Sequence, residues 1–407
     1  MLLGGAALEQ GLPLMVSPIL TRLYTPTDFG VLAVFMALVG ACIPAVMGRY
    51  ELALLVAKRR SMSLNLFVAA IWVGLAVTAT LLLSLSLFQS TILKILNSPL
   101  LRGWLLLVPV AVFAAGLMNA GINLANRDKK YWHMAGARVG KGIGVAGVSL
   151  TLGVAGIGYA GLLAGSISGF LCAIACLYFF RGDTLRNVDL TPSRRTALAL
   201  KRYKDYAIYL GTTDWLDGLS LALPALFIAQ GYSEAVVGYF ALVQRVMSGP
   251  LNLFGRAVSR INIRAVAERV HSGDKVLPHF LWVSSGLSIV AVIPAVVLIA
   301  WGPPLFSWVF GNNWEQAGMF AKIMAPALSI RFVASTMSGT LAATRYTKIL
   351  GAWKISAFSV TLTVLWIFSG NVSALTLISI LAATDVALYC VYFVAALLSA
   401  VHPRKYA

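Results

Sequence analysis

The sequence predicts an all-α integral membrane protein with about 12 transmembrane helices in two six-helix bundles. Of its 407 residues, 59% are hydrophobic and only 11% are charged, whereas soluble domains carry roughly 25% charged residues. Apolar stretches of about 20 residues, the length that crosses a bilayer as a helix, follow one another with short polar breaks between them. This composition and spacing exclude an ordinary soluble enzyme.

Twelve spans can be assigned from these stretches. They cover approximately residues 2–20, 30–48, 63–88, 103–123, 134–152, 157–180, 207–229, 235–255, 278–301, 317–341, 349–369 and 373–399. The first stretch, from Met1 to Leu20, has neither a basic start nor a small-residue cleavage site. We therefore expect it to be a span and not a secretory signal.

The net charge of +18 is concentrated in alternate breaks between the spans. The opposite breaks hold only Arg22, Lys94 and Arg102. In a soluble protein such an excess of charge would suggest nucleic acid as a partner, but this alternation is the positive-inside pattern of membrane proteins. It predicts that the basic breaks and both termini lie on the cytoplasmic side of a bacterial inner membrane. It also predicts that the protein has no nucleic-acid partner.

The longest break divides the chain into an N-terminal bundle at 1–180, a cytoplasmic basic linker at 181–205 and a C-terminal bundle at 206–407 with a short cytoplasmic tail. Apolar and basic residues are mixed between Arg194 and Lys204. This pattern is typical of a short helix on the cytoplasmic membrane surface, and an irregular linker is the alternative.

The two halves carry matching residues at equivalent positions. One set of pairs has a constant offset: Tyr24 and Tyr232, Gly30 and Gly238, Ala33 and Ala241. A second set lies at the ends of the fourth spans: Gly121 and Gly339, Arg127 and Arg345. Repeats of six spans run parallel and are related by an axis along the membrane normal, which is a transporter plan.

Glycines recur every four residues in two neighbouring spans. The two series are Gly136, Gly140 and Gly144, and Gly161, Gly165 and Gly169. Small residues at this spacing predict close packing between membrane helices. The four cysteines lie in apolar runs far from any histidine, so the sequence predicts no metal site.

Four segments carry a family resemblance. They read PILTRLYTPTDFGVLAVF at 18–35, GRYELALLVAKRR at 48–60, GIGYAGLLAGSISGF at 156–170 and GYFALVQRVMSGPLNLFG at 238–255. The first two closely resemble Wzx-type oligosaccharide flippases, the polysaccharide transporters of the superfamily that includes the MATE exporters. The other two are similar to the sixth and eighth spans of that family. Its members usually begin with a short cytoplasmic lead, which this sequence lacks before its first span.

The resemblance implies a V-shaped pair of bundles and a transport function. Such a protein would move undecaprenyl-diphosphate-linked oligosaccharide to the outer leaflet by alternating access, for O-antigen, capsule or exopolysaccharide synthesis. It would work beside polysaccharide polymerases and chain-length proteins, without a cofactor but with possible H⁺ or Na⁺ coupling. Two alternatives remain: a MATE-type drug exporter, which needs an acidic cavity, and a membrane polymerase or ligase, which needs a large external loop.

Charged side chains within spans or at their ends are the candidate site residues, because a charge within a span costs about 2.5–3.5 kcal/mol to insert. Arginine suits a diphosphate, since its planar guanidinium can bind two phosphate oxygens at once. The expected diphosphate and sugar contacts are Arg22, Arg49, Arg138, Lys141, Arg245, Arg331 and Lys354. The expected coupling-ion residues are Glu9, Asp214 and Asp217. Ion pairs that hold helices together are the alternative role for each of them.

Overall fold

The computed structural model describes residues 2–179 and 190–402, and helices are the regular elements of this part of the chain. Its α-helices are α1 (Leu2–Leu23), α2 (Pro26–Val46), α3 (Tyr50–Val56), α4 (Arg60–Leu87), α5 (Gln89–Ile95), α6 (Val108–Arg127), α7 (Tyr131–Val154), α8 (Tyr159–Phe179), α9 (Arg194–Arg202), α10 (Gly211–Gly231), α11 (Glu234–Ser272), α12 (Leu277–Phe310), α13 (Glu315–Met337), α14 (Gly339–Ala343), α15 (Thr347–Phe368) and α16 (Ala374–Val401). The first residues of the expected linker, 181–189, and the tail at 403–407 lie outside the described residues.

The predicted all-helical membrane fold is confirmed, and each of the twelve predicted spans coincides with a helix. Eight helical segments of the described chain are long and apolar enough to cross a membrane: α2, α4, α6, α8, α12, α13 with α14, α15 and α16. The other four predicted spans correspond to α1, α7, α10 and α11. Each of these has at least 21 residues, but none is among the eight. The count of twelve spans therefore stays a prediction.

A short basic helix, α9, is present where the sequence predicts one. It begins at a capping box in which Ser193 and Thr196 bond to each other's backbone N–H groups. Thr196 and Ala199 are buried, and α9 packs on α4. Its position on a membrane surface remains an expectation.

The chain folds as two compact units, residues 1–238 and 239–407. In the first unit, α7 packs on α8 and α1, and α10 packs along α2. In the second unit, α13 packs between α12 and α16. The contacts of α10 therefore place it in the first unit, whereas the order of spans assigns it to the second half. The division into two six-span halves remains a prediction.

Gly140 and Gly144 of the first predicted glycine series, and all three glycines of the second, lie at the contact between α7 and α8. A Cβ atom built on Gly140 would lie 2.6 Å from Cys176 Sγ, and one on Gly144 would lie 2.9 Å from Cys172 Sγ. From the other helix, a Cβ on Gly165 would overlap Ser149 Oγ. The predicted close packing is confirmed, because larger residues at these positions would push the helices apart.

The matched segments of the internal repeat cross each other at the starts of α2 and α11. A Cβ on Gly30 would lie 2.6 Å from the Glu234 carbonyl carbon, and one on Gly238 would lie 2.8 Å from the Pro26 carbonyl carbon. Pro26 and Glu234 have the same offset as the two glycines. Each glycine thus meets the backbone of the equivalent segment, in a locally symmetric contact that we call the glycine crossing.

Candidate functional site

Three charged clusters contain most of the residues that the sequence singled out. The first lies between α1 and α7, where Lys141 Nζ donates to Glu9 Oε1 at 2.9 Å. Arg138 Nε lies 3.7 Å from the other oxygen, Glu9 Oε2. Arg138 and Lys141 are three residues apart on α7 and therefore share a face of that helix.

This first cluster holds two cations and one carboxylate. Between 20% and 27% of each of the three side chains is exposed. Lys141 Nζ also lies 5.2 Å from the centre of the Phe170 ring, within the range of a cation–π contact. Since one carboxylate balances only one of the two cations, the cluster keeps a formal charge of +1 in a mostly buried setting.

The second cluster is centred on Arg49, in the tight turn between α2 and α3. Gly48 and Arg49 both adopt positive φ angles in this turn. Its NH1 group donates to Glu51 Oε1 at 3.3 Å, and its Nε lies 2.9 Å from Asp214 Oδ2. The Nε–H is not aligned for a hydrogen bond, so the second contact is chiefly an attraction between charges.

Glu51 in this cluster is almost fully buried, at 3% exposed. Its Oε2 atom has no hydrogen-bond partner among the described residues. Burial raises the pKa of the Glu51 carboxyl, an effect that its backbone hydrogen bond and the charge of Arg49 oppose. Because two carboxylates face one guanidinium, this cluster carries no surplus positive charge.

The third cluster joins α13 and α16. Arg331 NH1 lies 3.9 Å from Asp385 Oδ2, and its guanidinium carbon lies 5.6 Å from the centre of the Tyr389 ring. Tyr389 in turn packs on Trp353, with the ring centres 5.2 Å apart. A cation beside packed aromatic rings can hold a ligand or fix two helices, and this geometry allows both roles.

The remaining predicted residues lie elsewhere on their helices. Arg22 is exposed in the last turn of α1, and Arg245 is half-buried in α11. Lys354 is half-buried on α15, next to Trp353, and Asp217 follows Asp214 by almost one turn of α10. No group of acids, histidines and cysteines suited to a metal ion occurs in the described part of the chain.

A polar cluster accompanies the glycine crossing. Ser98 is fully buried, and its Oγ donates to Glu234 Oε1 at 2.6 Å. Burial and the nearby charge of Asp28 raise the pKa of the Glu234 carboxyl, and the Ser98 hydrogen bond opposes this rise. Nearby, the Tyr24 hydroxyl donates to the Ser149 carbonyl at 2.7 Å and ties the chain between α1 and α2 to α7.

Two ion-pair partners were not among the predicted site residues. Glu51 lies only two positions after Arg49. Asp385 lies within the last predicted span, and nothing in the sequence connects it with Arg331, 54 positions earlier. The pair of Arg331 and Asp385 depends on how α13 and α16 pack, whereas the pair of Arg49 and Glu51 is local to one turn.

Residues 19–318 match the model of the family described as polysaccharide biosynthesis protein. The chain is also 23% identical, over 334 residues, to the succinoglycan biosynthesis transport protein ExoT of Rhizobium meliloti (strain 1021). That match covers 80% of this chain and 64% of the relative, so the chain spans less than two thirds of the relative's length.

Solved structures show the same fold. The lipid II flippase MurJ in an inward closed conformation aligns with a TM-score of 0.74 and 12% identity, over 97% of this chain and 89% of MurJ. An inward-facing multidrug resistance MATE transporter aligns with a TM-score of 0.66 and 13% identity, over 98% of this chain and 93% of the transporter. These relatives are named as transporters and flippases, not as enzymes. The chain is therefore a multi-pass membrane protein that belongs to the polysaccharide biosynthesis protein family.

Proposed function

We propose that this protein is a flippase for undecaprenyl-diphosphate-linked oligosaccharide repeat units. It carries them from the cytoplasmic to the outer leaflet of a bacterial inner membrane by alternating access. Family membership and the fold it shares with MurJ support this proposal, as does the name of its succinoglycan transport relative.

The cluster of Glu9, Arg138 and Lys141 is the observation that carries this proposal. Its surplus positive charge sits between two helices, where an uncompensated cation is costly. An anionic cargo that enters beside α1 and α7 would neutralise this charge. A diphosphate supplies that charge, together with acceptor oxygens for the donors of Arg138 and Lys141.

The same cluster argues against a MATE-type drug exporter. A cationic drug would be repelled by the surplus charge, and binding it would require acids that outnumber the bases. The other two clusters are less suited to first contact with the cargo. Arg49 and Arg331 each have a carboxylate partner already, which a phosphate group would have to displace.

Glu9 is also our candidate for coupling to H⁺ or Na⁺. Protonation of Glu9 would free Lys141 and Arg138 to bind an anion, whereas the ionised carboxylate competes with the cargo for both cations. Ion binding and cargo binding would then be linked through one carboxylate. Asp214 and Asp217 on α10 are further candidates.

Neutralising Lys141 and Glu9 in separate variants tests the proposal. Lys141→Gln should reduce export of the polysaccharide and leave lipid-linked oligosaccharide in the cytoplasmic leaflet. Glu9→Gln should retain cargo binding but lose its dependence on pH or Na⁺. The exposed Lys275→Gln serves as a matched control for loss of a positive charge. Normal export by Lys141→Gln at equal protein levels would contradict the assigned role of this cluster.

Orientation in the membrane has its own test. We expect α9 and both termini to face the cytoplasm, because the basic breaks do. A cysteine in place of the exposed Ser193 should resist an impermeant maleimide in intact cells and react in opened cells. Labelling in intact cells would reverse the assigned orientation.

A further inference from the structure

A pocket of ≈ 380 Å³ lies between α11 and α13 in the second compact unit. It is lined by Leu251, Gly255, Ser259, Arg260, Phe332, Ser335 and Thr336. None of these residues belongs to the three charged clusters. Four of them, Ser259, Arg260, Ser335 and Thr336, carry hydrogen-bonding side chains, so the pocket offers polar groups to a ligand.

Gly255 keeps this pocket open. A Cβ atom at this position would lie 2.7 Å from Thr336 Oγ1 and 3.3 Å from Phe332 Cε2. Any larger residue would therefore fill the floor of the pocket. Both neighbours are almost fully buried, Thr336 at 3% exposed and Phe332 at 5%, so the floor is formed by well-packed side chains.

The hydroxyl groups of Thr336 and Ser335 favour a ligand that donates hydrogen bonds to them. Thr336 Oγ1 donates to the Phe332 carbonyl at 2.7 Å, and Ser335 Oγ donates to the same carbonyl at 3.2 Å. With their protons engaged, both oxygens present lone pairs to the pocket. A phosphate group has only acceptor oxygens and cannot use those lone pairs, whereas a sugar hydroxyl can donate to them.

The rest of the lining complements a sugar ring. Arg260 is exposed and forms no ion pair with any described residue, so its guanidinium is available to donate to ring oxygens. Ser259 offers a hydroxyl from the same helix. Phe332 supplies the apolar surface on which the C–H face of a sugar can pack.

The predicted topology places the pocket near the cytoplasmic surface, where the proposed cargo would be loaded. Gly255 follows the first residue of α11 by 21 positions, or about 32 Å at 1.5 Å per residue. Thr336 follows the first residue of α13 by a similar 21 positions. In the topology that the basic breaks predict, both helices begin outside, so the pocket lies near the cytoplasmic surface.

We propose that this pocket binds one sugar ring of the lipid-linked cargo and so contributes to selection of the oligosaccharide. The sugar hydroxyl groups donate hydrogen bonds to Ser335, Thr336 and Ser259. Arg260 donates hydrogen bonds to the sugar oxygens, and the Phe332 ring packs on the face of the sugar. This inference rests on the proposed transport function and assigns the carbohydrate part of the cargo to a place separate from the Glu9 cluster.

Protection of an introduced cysteine tests the site directly. Leu251 lines the pocket, is partly exposed and has no proposed hydrogen bond to the sugar, so a Leu251→Cys variant without the four native cysteines can be labelled with a water-soluble maleimide in a detergent that contains no sugar. The probe is the lipid-linked oligosaccharide extracted from cells depleted of this protein. The comparison probes are the lipid phase of the same extract after mild acid hydrolysis, from which the released sugar has been washed away, and undecaprenyl diphosphate alone.

We expect the intact extract to slow labelling, and the two sugar-free probes to leave the rate unchanged. In the same background, Thr336→Val, Ser259→Ala and Arg260→Gln should each weaken the protection roughly two- to tenfold, the effect of losing one hydrogen bond. Ser272→Ala and Arg264→Gln, farther along α11, are the matched controls and should have no effect.

The outcomes separate this inference from the transport function. If depletion of the protein accumulates lipid-linked oligosaccharide but the intact extract gives no protection, the pocket assignment is wrong while transport stands. Equal protection by undecaprenyl diphosphate alone would show a diphosphate site and would also overturn it. If depletion causes no accumulation, the transport proposal itself fails.

Discussion

Replacing Gly30 with alanine would bring a methyl group into steric overlap with the backbone of Glu234. The added carbon would lie 2.6 Å from the Glu234 carbonyl carbon and closer still to its oxygen, whereas real Cβ atoms keep at least 3.0 Å. A flexible side chain could yield at this distance, but the backbone of α11 can move only by separating from α2. Overpacking of this kind costs about 1–3 kcal/mol.

The locally symmetric partner should respond in the same way. Alanine at Gly238 would lie 2.8 Å from the Pro26 carbonyl carbon. A cost of about 1–3 kcal/mol shifts an equilibrium between conformations by roughly 5- to 150-fold. Gly30→Ala and Gly238→Ala should therefore disfavour the glycine crossing, and a transporter that alternates would move toward conformations in which these segments part.

Each variant has a matched control on its own helix. A Cβ atom at Gly40 of α2 or at Gly249 of α11 would meet nothing within 4 Å. Alanine at these positions should leave the protein as stable as before or slightly more stable, because glycine is a poor helix former.

The assay is the reactivity of a cysteine at Ser98, which is fully buried beside the glycine crossing. Gly30→Ala should speed its labelling by an impermeant maleimide at least fivefold and lower the thermal unfolding midpoint, and Gly40→Ala should do neither. If Gly30→Ala and Gly40→Ala behaved alike, the close contact inferred at the glycine crossing would be wrong.

Three further predictions concern burial, packing and the third charged cluster. Because burial raises the pKa of Glu51, the contribution of this residue to stability is full below its unfolded pKa of about 4.3 and is lost as pH rises through the higher folded pKa. Glu51→Gln should thus raise the unfolding midpoint relative to the wild type near pH 7.5 but not near pH 4, and a pH-independent difference would contradict this. Gly165→Leu should prevent stable insertion because α7 closely contacts that position. Gly147→Leu should be tolerated because there is open space around Gly147. Equal amounts of the two variants in the membrane would refute the packing argument. Arg331→Gln should impair export, and adding Asp385→Asn should restore thermal stability but not export; full recovery of export would make the pair purely structural.

Much of the fold could be predicted because the membrane constrains it strongly. Backbone groups in hydrocarbon must be hydrogen-bonded within the segment, so each apolar stretch had to form a helix. The glycine spacing likewise predicted the contact between α7 and α8, since close approach requires small residues on both helices. Tyr24 and Gly30 match Tyr232 and Gly238 at one constant offset in the sequence. These matching residues belong to the two segments that meet at the glycine crossing.

The sequence does not predict which charged residues form ion pairs with one another. Arg49 contacts Asp214 because the positive φ angle of Arg49 and the packing of α10 on α2 bring together residues 165 positions apart. Hydropathy does not determine which charged faces of two helices meet. The pocket beside Gly255 was not found for a related reason, since hydroxyl residues in a helix are common and only their convergence between α11 and α13 distinguishes them.

Transport of the lipid-linked cargo by the purified protein is the most direct measurement of the central claim. The protein would be reconstituted into vesicles with extracted lipid-linked oligosaccharide, and the sugar exposed on one leaflet would be followed with an impermeant lectin. We predict that sugar appears on the opposite leaflet faster than in protein-free vesicles, and that Lys141→Gln slows this movement while Lys275→Gln does not. Movement no faster than in protein-free vesicles, with active transport of a cationic dye by the same preparation, would contradict the flippase assignment and favour a drug exporter.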